Sequence, residues 1–135
     1  MPQESIFAPV GALALLTFIV LGLIPFRRFR AAGAGQVTTS DFELGESRRV
    51  PPHVALANRA YMNLLEVPVL FYVASLMYFV AGRVDQTVLA VAWTYVALRA
   101  VHSLIHVTYN NVIHRLAAFA TSNVVLMAYW ALFFI

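Results

Sequence analysis

Residues 59–68 read RAYMNLLEVP, and this stretch places an arginine, an amide and a carboxylate on one face of a helix. Arg59, Asn63 and Glu66 stand at positions i, i+4 and i+7, which share a helix face. The uncharged run that follows, residues 67–81, covers about 22 Å as a helix, whereas a bilayer core is roughly 30 Å thick. The helix therefore starts upstream of this run and carries ionisable side chains into the membrane. Burying ionisable side chains at that depth costs free energy, so their presence there indicates a functional site.

The composition is that of an integral membrane protein. Of the 135 residues, 61% are hydrophobic and 11% are charged, against about 25% charged in soluble domains. The length fits a single domain, and the absence of cysteine excludes disulfides and thiolate metal sites. All nine basic residues are arginines, whose planar fork suits carboxylates and phosphates, although GC-rich coding explains an arginine-only set equally well.

Apolar runs and turn residues predict an all-α, antiparallel up-down bundle of four transmembrane helices, at about residues 5–27, 53–81, 86–109 and 112–134. The first run is interpreted as a retained helix, since it is long for a signal peptide and no Lys or Arg precedes it. Pro25 is expected to kink or end this helix. Tyr129 and Trp130 fit an outer aromatic belt.

The placement of the arginines predicts the orientation of the bundle. The long loop at about residues 28–52, together with its flanks, carries most of them: Arg27, Arg28, Arg30, Arg48 and Arg49. The short connection after the second helix carries only Arg83 beside Asp85. By the positive-inside rule the long loop is cytoplasmic and both termini face outward.

With this topology, the polar residues of all four helices gather in the inner leaflet. They are Arg27, Arg28, Arg59, Asn63, Glu66, Arg99, His102, His106 and Arg115. A single carboxylate cannot neutralise so many arginines, which favours a small anionic ligand that also carries a cation. Arginines would hold its carboxylates bidentately and Glu66 its ammonium, while a lipophilic second substrate enters from the bilayer.

The pattern Arg59-x-x-x-Asn63-x-x-Glu66 followed by Pro68, with Arg99-x-x-His102 and Arg115, resembles the MAPEG family (membrane-associated proteins in eicosanoid and glutathione metabolism), in its bacterial type. The resemblance covers essentially the whole chain. It implies a homotrimer in the bacterial inner (plasma) membrane that binds glutathione between neighbouring subunits on the cytoplasmic side. Family activities are glutathione transfer, peroxide reduction and eicosanoid isomerisation.

The resemblance also implies roles for individual residues. The glutathione-binding set would be Arg59, Asn63, Glu66, Arg99 and His102, with His106 and Arg27 beside them. Arg115 and Arg28 would be catalytic, because an arginine near a thiol favours the thiolate.

Three positions depart from the family pattern. His106 stands where well-known members have a tyrosine that helps to hold glutathione. Leu116 follows Arg115 where the prostaglandin synthase branch has a serine, and Met62 replaces an arginine of that branch. Prostaglandin isomerase chemistry is therefore not expected.

The sequence favours a glutathione-dependent transferase or peroxidase acting on lipophilic electrophiles or hydroperoxides. Alternatives are a small membrane transporter using Glu66, and a non-enzymatic membrane protein with a vestigial anion pocket. Arg59, Asn63 and Glu66 can also pair with Arg99 simply to hold the helices together. A metal site at His102 and His106 is disfavoured by the arginines around it, and nucleic-acid binding by the position of the basic residues at membrane boundaries.

Overall fold

Four helical spans form the protein, and one of them is broken into two helices. The computed structural model describes residues 1–135 and contains the following α-helices: α1 (Phe7–Gly33), α2 (Pro52–Leu65), α3 (Pro68–Val80), α4 (Gln86–Val107) and α5 (Val112–Phe134). Two short 3-10 turns, Gln3–Ile6 and Thr39–Phe42, complete the secondary structure. By length and composition all four spans can cross a membrane. The predicted all-α transmembrane four-helix bundle is confirmed.

Helix α1 is longer than the sequence indicated. It continues past Pro25 and past residue 27 to Gly33, so the long connection comprises residues 34–51 rather than 28–52. Gly35 ends the helix, because its φ of +73° lets the Gln36 N–H donate back to the Ala31 carbonyl at 2.9 Å. The last turns of α1 are also held by packing of Ala31 against a small apolar cluster of the connection and α2: Val37, Val50 and Val54.

The predicted continuous helix over residues 53–81 is interrupted between α2 and α3. Pro68 lacks the N–H that would bond to the Leu64 carbonyl, and its ring crowds that carbonyl, so the helix stops at Leu65 and restarts at Pro68. Glu66 lies in the break with φ −84° and ψ −96°. Elsewhere α4 ends at Val107, before the predicted residue 109, whereas α5 has the predicted bounds.

An aromatic core fills the half of the bundle that lies away from the long connection. The Phe71 ring stacks on those of Tyr95 and Tyr129 at centroid distances of 4.9 and 5.5 Å. The Tyr78 hydroxyl donates to the Tyr129 carbonyl at 2.7 Å, and the hydroxyls of Ser75 and Tyr129 are 3.0 Å apart. Tyr129 is fully buried, so its expected place in an aromatic belt is wrong: its hydroxyl finds a partner inside the bundle instead of at the membrane surface.

The two ends of the bundle are joined by different contacts. At the terminal end, where both termini lie, the Gln3 side chain bonds to the backbone of Val84. At the other end Arg27 donates to the His53 carbonyl at 2.7 Å and to the Val107 carbonyl at 2.8 Å, which links α1, α2 and α4. We refer to this second end, with the connection of residues 34–51 and the turn of residues 108–111, as the loop end.

Candidate functional site

A cavity of about 420 Å³ lies in the loop half of the bundle, between α2, α4 and α5. Its lining combines charged, amide and imidazole side chains with apolar ones: Arg59, Met62, Asn63, Glu66, His102, His106, Val112, Arg115, Leu116 and Phe119. Met62, Val112 and Leu116 are each at least half exposed, so the cavity is open on one side.

Helix α2 and the break that follows it contribute the three residues that the sequence placed on one face. Arg59, Asn63 and Glu66 all line the cavity, and the Asn63 amide donates to the Arg59 carbonyl at 3.3 Å. Glu66 reaches the cavity from the break in the span, where the backbone leaves the helical path. The interruption caused by Pro68 therefore sets the position of the one carboxylate among the lining residues.

Helix α4 contributes two buried histidines. The rings of His102 and His106 are 5.7 Å apart at an interplanar angle of 72°, and the His102 ring is 5.7 Å from that of Phe119. The Nδ1 atoms of both histidines are buried and make no hydrogen bond within the chain. Since nearly all buried polar atoms in proteins have a partner, these nitrogens are available to a polar ligand or to ordered water.

Arg99 lies behind the cavity wall rather than in it. Its side chain is fully buried, its Nη2 donates to the Asn63 carbonyl at 3.1 Å, and its Cζ lies 5.8 Å from the centroid of the Phe119 ring. The Nε and Nη1 atoms have no hydrogen bond within the chain. Arg99 thus adds positive charge near the cavity without lining it.

Arg115 enters the cavity from the first turn of α5. Its Nη1 donates to Asn110 Oδ1 at 2.7 Å, across the turn that joins α4 to α5. Asn111, the residue after Asn110, caps α5. Its Oδ1 accepts hydrogen bonds from the backbone N–H groups of Ile113 and His114 at 3.0 Å each. The N-terminus of α5 carries partial positive charge, which adds to that of Arg115.

A family comparison agrees with this arrangement. The model of the MAPEG family matches residues 6–135, nearly the whole chain. The chain belongs to the MAPEG family. No curated protein and no solved structure matches it. The family resemblance seen in the sequence is confirmed, and membership implies a membrane-associated role related to glutathione or eicosanoids.

Two arginines expected at the site of this MAPEG protein lie elsewhere in the chain. The Arg27 guanidinium donates hydrogen bonds to the carbonyls of His53 and Val107. Arg28 has its Cζ 4.4 Å from the centroid of the Phe42 ring, and it lines a separate cavity of about 430 Å³ beside Thr38. Both arginines belong to the loop end, but a single chain does not bring them to the cavity of Arg59 and Arg115.

Sequence reasoning missed Val112 and Phe119 in the lining of the MAPEG cavity and Asn110 beside it. Phe119 follows Arg115 by one helical turn, so a helix-face argument starting from Arg115 would have found it. Asn110, which bonds to Arg115, lies in the short connection between the predicted third and fourth helices, and no spacing rule indicates such a contact across a turn.

The charge balance of the MAPEG cavity favours an anionic ligand. Arg59 and Arg115 line it and Arg99 lies directly behind, whereas Glu66 is the only lining carboxylate. No group of three or more His, Cys, Asp or Glu side chains has an arrangement that would hold a metal ion. A ligand with several carboxylates and one ammonium matches the charges and the hydrogen-bonding groups that are present.

Proposed function

We propose that this MAPEG protein is a glutathione-dependent transferase or peroxidase that acts on lipophilic electrophiles or hydroperoxides. The observation that carries the proposal is the single cavity that holds Arg59, Arg115, Glu66 and two buried imidazoles in a transmembrane bundle. Glutathione offers two carboxylates, one ammonium and one thiol. It therefore supplies the negative charge that the arginines need and the cation that suits Glu66.

The roles of the lining residues follow from their chemistry. Arg59, with the Asn63 amide beside it, holds a carboxylate of the tripeptide through charge-assisted hydrogen bonds. The Glu66 carboxylate accepts a hydrogen bond from the ammonium group of the tripeptide. Arg115 stabilises the thiolate, because a nearby guanidinium and the N-terminus of a helix both lower the cost of negative charge on sulfur.

The reaction then needs little more from the protein than charge stabilisation and orientation. In transfer, the thiolate sulfur forms a bond to the electrophilic carbon, and the leaving group departs with its electron pair and takes up a proton. In peroxide reduction, two glutathione molecules are oxidised to the disulfide while the hydroperoxide is reduced to an alcohol and water. Arg115 stabilises the negative charge on sulfur in both reactions.

The open side of the cavity suits a neighbouring subunit and a lipophilic substrate. We infer a homotrimer, in which Arg28 of one subunit approaches the cavity of the next and supports the thiolate, since the Arg27 guanidinium is already bonded to carbonyls of its own chain. The exposed apolar lining residues Met62, Val112 and Leu116 offer a path for the second substrate from the bilayer. The arginine-rich loop end favours a cytoplasmic location of the site, with the protein in a bacterial inner membrane.

A transporter that uses Glu66 for a cationic substrate is less consistent with the cavity. Arg59 and Arg115 line the same space, and both repel a cation there. Arg99 adds a further positive charge behind the wall. A cation therefore meets a net positive field on the way to the carboxylate.

Titration of the purified protein with glutathione tests the proposal without assuming an electrophile. Wild-type protein should bind glutathione and show ultraviolet thiolate absorbance at neutral pH. Arg115→Ala should still bind glutathione but lose that absorbance and the turnover, and Arg48→Ala, on the exposed connection, should behave as wild type. Absence of glutathione binding to wild-type protein would refute the proposed function, and unchanged turnover of Arg115→Ala would remove Arg115 from the mechanism.

A further inference from the structure

The turn between α4 and α5 contains an unusual backbone conformation. Asn110 has a φ of +47°, in the left-handed region that side chains other than glycine rarely adopt. Its N–H donates to the Ile105 carbonyl at 2.8 Å, which closes the end of α4. Asparagine tolerates this region better than most residues, so the turn itself is compatible with the residue found there.

The choice of asparagine at this position calls for a reason beyond the turn. The other residues with positive φ are all glycines: Gly35, Gly45 and Gly82. Glycine reaches this conformation at no steric cost, so the turn alone would be served at least as well by glycine. What asparagine adds is its side-chain amide, and the Oδ1 of that amide accepts from Arg115 Nη1 at 2.7 Å.

We propose that Asn110 is a positioning residue that fixes the orientation of the Arg115 guanidinium toward the cavity. An arginine side chain has several rotatable bonds, and near the open side of the cavity it would sample many rotamers. The bond from Nη1 to Asn110 engages one edge of the guanidinium and leaves the rest of the fork for the ligand. The left-handed backbone of Asn110 aims its amide back at the first turn of α5.

The consequence concerns the thiolate and rests on the proposed function of Arg115. A guanidinium held in one place stabilises developing charge without reorganising during the reaction. Without the bond, the Arg115 side chain occupies several rotamers. The guanidinium then lies beside the sulfur in a smaller fraction of the protein molecules. Glutathione binding through Arg59 and Glu66 should change little, whereas thiolate formation and turnover should fall.

The decisive variant is Asn110→Gly, which keeps the left-handed turn and removes only the amide. We expect an unchanged thermal unfolding temperature, nearly unchanged glutathione affinity, and a turnover number reduced roughly tenfold. The pH at which bound glutathione becomes the thiolate should rise in parallel. Asn110→Asp keeps the acceptor oxygen and controls for the hydrogen bond, and Asn111→Ser keeps the neighbouring helix cap without touching Arg115.

A second measurement does not depend on glutathione at all. In protein labelled with ¹⁵N-arginine, the guanidinium Nη signals of Arg115, identified by their loss in Arg115→Lys, should show hindered rotation in wild type. They should be averaged in Asn110→Gly and hindered again in Asn110→Asp. Averaged signals already in wild type, or signals unaffected by Asn110→Gly, would overturn the proposal.

The two measurements separate this inference from the proposed function. Hindered Arg115 signals with no glutathione binding refute the enzyme and retain the positioning contact. Glutathione binding and turnover that are the same in wild type and Asn110→Gly retain the enzyme and refute the positioning role.

Discussion

Arg99 donates a hydrogen bond from Nη2 to the backbone carbonyl of Asn63 at 3.1 Å, and this contact joins α4 to the end of α2. The carbonyl lies in the last turn before the break, where Pro68 removes a regular helical donor from the chain. The contact therefore has a structural part and a part that the proposed function would use. It supports the interrupted span, and it brings a buried positive charge up to the residue that lines the cavity.

Replacing Arg99 by methionine should separate these two roles. Arg99→Met removes a buried charge, which favours folding, and leaves the Asn63 carbonyl without its donor, which opposes it. Because these contributions oppose each other, we expect the free energy of unfolding to change by less than about 1 kcal/mol. Glutathione affinity should nevertheless fall about tenfold, because a charge near the bound anion is lost.

The comparison for Arg99→Met is Arg83→Met, which removes an arginine from the terminal end of the bundle, away from the cavity. Calorimetric titration with glutathione and thermal unfolding in the same detergent give both quantities. Lowered stability with wild-type affinity would make Arg99 a purely structural residue, as in the alternative of simple helix pairing.

A different arginine should matter for stability. Arg27 donates to the carbonyls of His53 and Val107 at the loop end, and charge-assisted bonds of this kind stabilise more than neutral ones. Arg27→Met should lower the free energy of unfolding by about 1–2 kcal/mol. Arg30→Met is the matched control, because the Arg30 side chain is exposed on the same helix end. Equal thermal unfolding of the two variants would contradict the proposed link between α1, α2 and α4.

Much of the fold followed from the sequence because the bilayer imposes simple rules. The apolar runs are long enough to cross it, and the short connections at residues 81–85 and 108–111 force antiparallel neighbours. The ends of the helices were harder to predict, because local contacts determine where a helix stops. The end of α1 depends on the left-handed Gly35 and on packing of Ala31, and neither is visible in hydropathy.

The helix-face rule explains which part of the site was accessible from the sequence. Arg59 and Asn63 line one cavity as their spacing on α2 indicated, whereas Glu66 lines it from the break, where the regular helical spacing has ended. For Arg28 the sequence predicted only that it lies in the same leaflet as the other arginines. Depth in the membrane does not specify on which side of the bundle a side chain lies. The Phe42 ring, brought over by the connection, engages Arg28 in a place that sequence spacing does not reveal.

Pro68 offers a test of how the break controls the site. Pro68→Ala restores a backbone N–H to residue 68 and removes the ring that crowds the Leu64 carbonyl, so the two helices should join. On the joined helix Glu66 would stay on the face of Arg59 and Asn63 but would lose the backbone conformation of the break (φ −84°, ψ −96°) that sets the present position of its carboxylate. Glutathione affinity should therefore fall several-fold. Hydrogen exchange of residues 66–70 should slow as the helix closes.

The matched control for Pro68→Ala is Pro25→Ala, because Pro25 lies within α1 without ending it. That variant should leave glutathione affinity unchanged. Slower exchange in Pro68→Ala with full affinity would show that the position of Glu66 does not depend on the break.

The connection at the loop end has its own electrostatic anchor. Asp41 accepts from the Ser47 hydroxyl at 2.7 Å and from the Thr38 N–H at 2.8 Å. The bond from Ser47, followed by that from Thr38, lowers the pKa of Asp41 below its ordinary value of 3.8. The folded connection thus favours the carboxylate over the acid.

The direction of the pH effect follows from this lowered pKa. Asp41 stabilises the connection fully above its ordinary pKa, and the stabilisation is lost as the pH falls from there through the lower pKa of the folded state. Hydrogen exchange at Thr38 and Ser47, corrected for the intrinsic rate, should therefore accelerate on acidification below the ordinary value. Asp41→Asn should exchange faster at neutral pH and lose this acid response, while Glu43→Gln, at an exposed neighbour, should keep it. An acid response that persists in Asp41→Asn would assign the effect to another group.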